Sequence, residues 1–572
     1  MRAQSGDSAN ASVVGVIPDV AGLEVVFDYA FPEKLGEPFV GMRVRAPLHG
    51  RSVAGWISEL DTTPPEDKTL REITKVSGWG PSRDVIELAR WAAWRWSART
   101  NTFLQTASPQ RNVYQLSQQN ESRDEDGQQR LDNFSVTTHR WPPTSDPYEL
   151  IVDAIDNGPA LIIVPSLRQS ERLHTRLRKN GHKVALSPGD WGVARSGNIS
   201  VVGTMSAAWA PVHPLRRIVV VDCHDRALRQ EGAPTWDAVE VAVERARRCG
   251  AAVTLLSPAP RLEHLAFSQL VEPAKEEERR GWANIEVVDM RDEDPRNGLF
   301  SEAVTRAIGQ QARVLCVLNR KGRATLLVCN KCQSIPACSR CEGRVTVTTA
   351  ESIELSCTRC DFAQPVVCSK CGGTKFKQLR LGVNQAAEQL AKVINKPVGE
   401  VTQESDSLPD TQVLLGTEAV LNRVGRADLV VFLDFDQDLF AQKFRADEDA
   451  LLLLARASRI VRGKPARVIV QTRKPDHVAL TAAASVQPQL VNEASIAFRQ
   501  VMQWPPFGAI ATVTGPNAQA FVDAAPLGIE VWGPDNGTFM LKARSTEVLC
   551  NGLAEMKRPQ GRLAVRVDPY GV

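Results

Sequence analysis

Eight cysteines arranged as four C-x₂-C pairs restrict the fold of this chain more than any other sequence feature. The pairs are Cys329/Cys332, Cys338/Cys341, Cys357/Cys360 and Cys368/Cys371. Two thiolates separated by two residues can turn onto one tetrahedral ion, so two pairs complete a Cys₄ site. Fifteen residues separate Cys341 from Cys357, which is typical of zinc ribbons. We therefore predict two Zn²⁺ ions per chain, one held by the inner four cysteines and one by the outer four.

A single C-x-x-C pair could also be a thioredoxin-like redox site. Four pairs in succession, without a neighbouring catalytic histidine, favour zinc instead. Because protein ligands fill all four positions of each site, we expect structural rather than catalytic metal. From Cys329 to Arg380 the sequence carries eight lysines and arginines against four acids. Such a basic patch suits a phosphate backbone, although a protein-docking surface is the alternative.

The bulk composition sets wide limits. A chain of 572 residues with 43% hydrophobic residues can form about four domains. The net charge of +3 neither requires nor excludes nucleic acid as a partner. The polar N-terminus does not read as a signal peptide, and no apolar run is long enough to cross a bilayer. We therefore expect no membrane partner and a cytoplasmic location, where clustered cysteines are ligands rather than disulfides.

Short apolar runs alternating with amphipathic stretches indicate parallel sheets flanked by helices. The predicted strands fall into two groups of four: Ala160–Pro165, Ile199–Gly203, Ile218–Asp222 and Ala252–Leu256, then Val314–Leu318, Val413–Gly416, Leu429–Asp434 and Arg467–Gln471. We predict an α/β multidomain chain with a small N-terminal β domain, two parallel-sheet lobes, a zinc-binding module inserted in the second lobe, and a C-terminal α+β domain. The predicted boundaries are 1–110 for the N-terminal domain, 111–145 for a polar linker, 146–275 for lobe 1, 276–328 and 377–485 for lobe 2, 329–376 for the zinc module, and 486–572 for the C-terminal domain.

Two tandem lobes are typical of nucleic-acid motors, which need a phosphate-binding loop of the form G-x-x-x-x-G-K-[ST]. The chain contains no such loop, because its one Gly-Lys pair, Gly463-Lys464, is followed by Pro465. Without the loop and its lysine, the charge of a transferred phosphoryl group would lack its main stabilisation.

Several motifs resemble one known family. Leu318-Asn319-Arg320-Lys321-Gly322 precedes the cysteines, Gly416-Thr417-Glu418 follows them, and Pro505-Pro506-Phe507-Gly508 lies near the C-terminus. With the eight-cysteine spacing, these motifs resemble the replication-restart primosomal protein N′ family, the PriA helicases, over nearly the whole chain. The resemblance implies two RecA-like lobes, with the cysteine module embedded in the second.

The chain departs from that family at its ATP-linked motifs. In place of the phosphate loop it has Thr138-His139-Arg140-Trp141-Pro142-Pro143-Thr144, without glycine. The family's D-E-x-H magnesium motif appears as Asp222-Cys223-His224-Asp225, and of its arginine finger only Arg459 and Arg462 remain in register. Together with these losses, the resemblance implies a degenerate homologue. We therefore predict no catalytic residues and expect that the chain does not bind ATP.

The resemblance also assigns candidate DNA contacts. The family's N-terminal domain pockets the 3′ end of a nascent strand, which implies a DNA-binding role for Asp28, Phe27, Tyr29 and Gly50. A carboxylate can accept a hydrogen bond from a base edge while an aromatic ring packs nearby. From the residues alone, Phe27 and Tyr29 are equally typical of a hydrophobic core. Arg459 and Arg462 are candidate phosphate contacts, with exposed helical arginines as the ordinary alternative.

The sequence therefore favours a replication restart protein that binds abandoned or stalled forks and promotes reloading of the replicative helicase without ATP hydrolysis. The implied partners are forked or single-stranded DNA, the replicative helicase, other primosome proteins and single-stranded DNA-binding protein, in the nucleoid. Two alternatives stay open: an active ATP-dependent 3′→5′ helicase with an atypical nucleotide site, and a zinc-dependent scaffold without DNA contact.

Overall fold

The structure is a computed structural model. It describes residues 12–63, 69–116, 133–291, 293, 299–319, 326–332, 334–340, 345–348, 354–357, 362–379, 383–401, 405, 407–441 and 443–571. All statements below concern these residues.

The N-terminal domain is an antiparallel sheet followed by two helices. Its strands are β1 Ser12–Pro18, β2 Phe27–Phe31, β3 Arg43–Leu48, β4 Arg51–Leu60 and β5 Lys75–Gly78, in the order β2-β1-β4-β3-β5, with a 3₁₀ turn at Glu33–Leu35. β3 and β4 pair from Leu48↔Arg51 onward, which leaves His49 and Gly50 as a two-residue loop. Both loop residues have positive φ (47° and 78°), as the tight hairpin turn requires. The helices are α1 Arg83–Arg95 and α2 Thr100–Ala107.

The first lobe is a seven-stranded parallel sheet in the order β12-β6-β11-β10-β7-β9-β8. Its strands are β6 Ser135–Arg140, β7 Ala160–Ile163, β8 Val184–Leu186, β9 Ser200–Gly203, β10 Arg217–Val220, β11 Ala252–Ser257 and β12 Gln269–Val271. Its helices are α3 Tyr148–Asp156, α4 Leu167–Lys179, α5 Trp191–Arg195, α6 Ala238–Cys249 and α7 Leu262–Leu265, with 3₁₀ turns at Met205–Trp209 and Arg226–Leu228. β7 and β9 are buried at every position, as expected for strands covered on both faces.

Helix α8 (Lys275–Gly281) leads into the second lobe, a six-stranded parallel sheet in the order β13-β23-β22-β14-β21-β20. The strands are β13 Asn284–Asp289, β14 Val314–Val317, β20 Val398–Val401, β21 Val413–Gly416, β22 Leu429–Phe432 and β23 Arg467–Thr472. The helices are α9 Glu302–Gly309, α10 Val383–Ile394, α11 Ala419–Arg423, α12 Asp436–Leu439, α13 Ala446–Ile460, α14 Val478–Ser485 and α15 Gln489–Val501.

The cysteine module lies between β14 and α10 and contains only short strands in its described part. β15 Leu326–Cys329 pairs with β19 Phe376–Leu379, and β16 Val345–Thr348, β17 Glu354–Cys357 and β18 Ala363–Pro365 form a three-stranded sheet. Its apolar cluster is small, with Leu327, Val345 and Leu355 as its buried aliphatic members. A core of this size contributes little stability, so metal binding is expected to supply much of the folding energy.

The C-terminal domain is a four-stranded antiparallel sheet in the order β25-β26-β24-β27. Its elements are β24 Ala509–Thr514, α16 Ala518–Val522, β25 Ile529–Asp535, β26 Thr538–Ala543, α17 Thr546–Glu555 and β27 Ala564–Val567. One apolar core joins this domain to α1, α2 and the first lobe. Trp209 lies within that core, stacked on Phe103 at 5.3 Å and edge-on to Trp236 at 5.8 Å.

All eight strands expected for the two lobes are present, but the predicted polar linker at 111–145 is wrong at its C-terminal end. β6 (Ser135–Arg140) lies inside that range and is an interior strand of the first lobe, between β12 and β11. The polar composition concealed it, because its inward side chains are only Val136 and Thr138, which are 9% and 0% exposed. One apolar residue, Val136, within a strand of Ser, Thr, His and Arg is too weak a signal to predict burial.

Candidate functional site

The outer four cysteines come together as the sequence spacing predicts. The sulfur atoms of Cys329, Cys332, Cys368 and Cys371 all lie within 4.8 Å of one another. Two of the separations, Cys329–Cys371 and Cys332–Cys368, are 3.6 Å. A tetrahedral zinc ion with Zn–S bonds of about 2.3 Å places its sulfurs about 3.8 Å apart, so this cluster fits the ion.

Backbone geometry around this cluster leaves the sulfurs facing one point. The Cys329 N–H donates to Ser334 O (2.9 Å) and the Cys368 N–H donates to Gly373 O (2.8 Å), which fixes both turns. A Cβ atom on Gly373 would lie 3.2 Å from the Cys329 sulfur and 3.4 Å from the Cys371 sulfur. Glycine at 373 therefore lets the chain pass close beside the candidate metal site.

Of the inner four cysteines, the structure describes two. Cys338 and Cys357 are 1% exposed and belong to the same apolar cluster. Cys341 and Cys360 lie outside the described residues. The second zinc site therefore stays a prediction.

The turn after β6, where the family would carry its phosphate loop, offers few donors to an anion. The Trp141 N–H donates to Ser257 O (2.7 Å), and the Ser145 N–H donates to Pro142 O (3.0 Å). Pro142 and Pro143 have no N–H to offer. A Cβ on Gly281 of α8 would lie 2.5 Å from Pro142 Cβ, so the two prolines are packed against that helix. A phosphate would find neither a row of N–H groups nor free space here.

The helix after this turn also lacks the usual anion site. α3 begins after Pro147, and the Tyr148 N–H donates to the carboxylate of Asp146 at 3.1 Å. A helix N-terminus favours anions through its free N–H groups and its dipole. Here an acidic side chain already occupies that position, and a phosphate beside it would be repelled.

Asp222 follows β10 at the same edge of the sheet and is bonded to the second lobe. Arg459 of α13 donates to both of its carboxylate oxygens (2.6 and 2.7 Å), and Arg459 Nε donates to Pro143 O (2.7 Å). Burial alone would raise the pKa of Asp222, but the Arg459 guanidinium outweighs burial and holds that pKa well below its usual range. Arg459 therefore ties Asp222 to the turn after β6.

Further ion pairs join the lobes on either side of this contact. Arg456 Nη2 lies 2.6 Å from Asp225 Oδ2. Arg445 Nη2 lies 2.5 Å from Glu263 Oε1. Glu263 also lies 3.4 Å from Arg499 of α15, so in the described residues all four arginines of the second lobe that face Asp222, Asp225 and Glu263 pair with protein carboxylates. The cleft between the lobes is closed by side chains, and we call Arg459, Asp222, Arg456 and Asp225 the interlobe latch.

Two histidines and a thiol lie behind the latch and are neutral at physiological pH. Burial lowers the pKa of His224 and of His264 to about 4 in each case. His224 Nδ1 contacts Ser257 Oγ at 2.9 Å, and the Cys223 sulfur lies 3.5 Å from His264 Nδ1. Burial also raises the pKa of the Cys223 thiol well above its usual range, so this pair lacks the thiolate that a cysteine nucleophile needs.

A cavity of about 360 Å³ adjoins these groups where the N-terminal domain, both lobes and the C-terminal domain meet. Its wall includes Arg95, Glu240 and Asp568, and Arg95 Nη2 forms ion pairs with both of those carboxylates. Cations and carboxylates line it together, so its charge selects no particular class of ligand.

The four residues predicted to contact DNA occupy two different environments. Tyr29 is 5% exposed, and its hydroxyl donates to Pro47 O at 3.1 Å. Phe27 packs against the same core from a partly buried position. Asp28 lies on the opposite face of β2, because successive strand residues alternate. Gly50 forms the tip of the β3–β4 turn with open space around it.

The two predicted phosphate contacts also differ. Arg459 is held by Asp222 and Pro143, whereas Arg462 lies beyond the end of α13, exposed and with a φ of +68°. Sequence reasoning missed the partner of Arg459, which is 237 residues away. One feature of the sequence could have indicated that no phosphate binds beside Arg459. Pro142 and Pro143 in the turn after β6 lack the backbone N–H groups that hold a phosphate.

Comparisons with known proteins give the N-terminal domain a family. Residues 15–109 match the PriA family described as "3'DNA-binding domain (3'BD)". No helix among the described residues is long and apolar enough to span a membrane.

Curated relatives cover more of the chain. The replication restart protein PriA of Bacillus subtilis is 27% identical over 398 residues, which is 62% of this chain and 49% of that protein. The protein of the same name from Haemophilus influenzae is 28% identical over 347 residues, covering 55% of this chain and 47% of that protein. The chain thus spans about half the length of these two relatives. A probable replication restart protein PriA of Mycobacterium tuberculosis is 27% identical over 584 aligned positions, covering 89% of this chain and 87% of that protein. By the domain match and these relatives, the chain is similar to the PriA replication restart proteins.

Proposed function

We propose that this chain is a replication restart protein that binds abandoned or stalled replication forks and promotes reloading of the replicative helicase without hydrolysing ATP. The observation that carries the proposal is the match of residues 15–109 to the 3′ DNA-binding domain. The relatives named as replication restart proteins support the role in replication restart.

DNA-end recognition is assigned to the face of β2 that carries Asp28. Asp28 is partly exposed, and in the described residues it forms no ion pair, so its carboxylate is available to a base edge. Tyr29, by contrast, is buried and would support the strand from inside. We assign Gly50 to the place where the DNA backbone approaches the β3–β4 turn, since nothing lies within 4 Å of the position that a Cβ atom would take on this glycine.

The test compares binding to forks with a free or a blocked 3′ end, using wild-type protein and the Asp28→Ala variant. We expect the free end to increase affinity for wild type and not for the variant. Glu33→Ala is the matched control, because Glu33 is an exposed acid of the same domain. Equal affinity of both proteins for both forks would refute the role of Asp28.

The absence of ATP hydrolysis rests on the closed cleft. The turn after β6 is filled by Pro142 and Pro143, and Arg459 binds Asp222 instead of a phosphate. An enzyme with an atypical nucleotide site would turn over ATP at an ordinary rate, about 1–10³ s⁻¹, on addition of forked DNA. Turnover in that range would refute this part of the proposal and favour an active helicase.

We assign two zinc ions to the cysteine module. The cluster of Cys329, Cys332, Cys368 and Cys371 supports the first, and the buried Cys338 and Cys357 support the second. Metal analysis should give two zinc ions per chain for wild type and one for Cys338→Ser. A metal content unchanged by that substitution would refute the second site.

The proposed partners are forked or single-stranded DNA, the replicative helicase, other primosome proteins and single-stranded DNA-binding protein, and the proposed location is the nucleoid in the cytoplasm. The test is loading of a purified replicative helicase onto a synthetic fork. Loading that does not depend on this chain would refute the restart role, while DNA binding could still stand.

A further inference from the structure

Helix α4 carries an unusual row of cations. Arg168, Arg172, Arg176 and Lys179 are all exposed. At 100° per residue these four positions fall within about 80° of one face, one turn apart along the helix. We call this row the α4 ridge. Arg178, also exposed, lies about 120° away from Arg172 around the same helix.

The ridge has few counter-charges, since Glu171, at i+3 from Arg168, is the one acid of α4. In the described part of the chain, Arg168, Arg172 and Lys179 form no ion pair, and only Arg176 does, with Asp146 at 2.5 Å. The Arg176 guanidinium also lies 3.6 Å from the Tyr148 ring centroid, so its position is fixed. The neighbouring helix α3 exposes Glu149 and Asp153, which confines the positive surface to one side.

This arrangement costs the helix stability. Arg168 and Arg172, and Arg172 and Arg176, are like charges at i,i+4, and each such pair destabilises a helix. Arg168 also lies in the first turn, where the helix dipole disfavours a cation. An anion that runs along the helix would relieve all three repulsions at once.

We propose that the α4 ridge binds the phosphodiester backbone of a DNA arm. From Arg168 to Lys179 the helix rises about 16 Å, which matches about five phosphates of one strand at 3.4 Å each along the DNA axis. Cations on successive turns of one helix suit contact with the phosphate backbone, and such contacts read no sequence.

The position of the ridge fits an arm that continues from the N-terminal domain. α4 packs against β8, the edge strand of the first lobe, and His174 Nε2 contacts Val184 O of that strand at 3.3 Å. The N-terminal domain reaches the same edge, where Trp191 of α5 donates to Ala107 O at 2.9 Å. This inference rests on the proposed DNA binding and gives it a second surface.

The experiment measures binding of the full chain to duplex and to single-stranded oligonucleotides of equal length at several salt concentrations. For the triple variant Arg168→Gln/Arg172→Gln/Lys179→Gln we expect the slope of log affinity against log salt to decrease by about 2.7 on duplex, or about 2.1 on a single strand. A slope that changes on one form of DNA and stays at the wild-type value on the other identifies the form that occupies the ridge. Since the substitutions remove repulsion within α4, the variant should fold at least as well as wild type.

Arg172→Gln and Arg178→Gln form a matched pair, because both remove one exposed arginine from the same helix. We expect Arg172→Gln to lower the slope by about 1 and affinity several-fold, and Arg178→Gln to change neither. Equal losses of affinity from both variants would show that DNA is attracted by the overall charge of the helix, and would overturn the proposal that the α4 ridge binds DNA. A triple variant indistinguishable from wild type would also overturn it while leaving the proposed function intact, whereas wild type that binds no DNA would refute both.

Discussion

Breaking the Arg459–Asp222 contact tests whether the interlobe latch holds the two lobes together. Two short charge-assisted hydrogen bonds link the groups, at 2.6 and 2.7 Å. Breaking a fully buried pair costs about 3–5 kcal/mol, because the remaining charge is left without a partner. The Asp222 side chain is 8% exposed but that of Arg459 is 40% exposed, so water will solvate part of the freed arginine. We therefore expect Asp222→Asn or Arg459→Gln to cost about 2 kcal/mol.

Native-state hydrogen exchange is the suitable assay, since a multidomain chain does not unfold in one step. The free energy of opening of the α13 amides should fall by about 2 kcal/mol in each single variant and hardly further in the double variant. Arg462→Gln is the control, because Arg462 is exposed and lies just beyond the end of α13. A coupling energy below about 0.5 kcal/mol would refute the latch.

The pH dependence of this contact follows from the lowered pKa of Asp222. A carboxyl whose pKa is depressed in the folded state contributes stability that is complete above its unfolded value, 3.8, and is lost as the pH falls toward the folded value. The difference between wild type and Asp222→Asn should therefore be constant from about pH 5 to 8 and shrink below about pH 4. A difference that disappears already near pH 6 would assign the effect to another group.

Three further changes test the architecture. Gly41→Ala should unfold the N-terminal domain and abolish its DNA binding, because φ is +92° and the new Cβ would lie 1.8 Å from Pro81 O; normal binding would contradict this. Trp209→Ala should lower the free energy of opening of the α6 amides, measured by native-state hydrogen exchange, by about 3–5 kcal/mol, since the ring is 1% exposed and stacks on Phe103; a change below about 1 kcal/mol would contradict its core role. Cys368→Ser, or a chelator, should release one zinc ion and increase protease cleavage within residues 326–379, and cleavage unchanged by either would contradict a structural metal.

The closed cleft changes the interpretation of the arginines. Protein carboxylates occupy the positions that face Arg456 and Arg459, so both guanidinium groups already have an anionic partner within the chain.

The sequence alone was sufficient to predict those features that depend on residues close together in the chain. The C-x₂-C spacing predicted the outer cysteine cluster, because two residues between thiolates fix a turn whatever surrounds it. The buried strands of the lobes were also predictable, since β7 and β22 are continuous apolar runs. His49-Gly50 was recognisable as a turn for the same reason. β6 escaped prediction, because its burial comes from neighbouring strands rather than from its own composition.

Only the tertiary structure decided which charges pair. Asp222 and Arg459 are 237 residues apart, and an exposed arginine on a helix looks the same in sequence whether it faces phosphate, water or a carboxylate. The sequence by itself determined the cysteine cluster, the two parallel sheets and the loss of the phosphate loop. Only the structure shows that ion pairs close the cleft between the lobes. The strength of a charge pair depends on the distance between the charges and on their burial, and both are fixed only when the chain has folded.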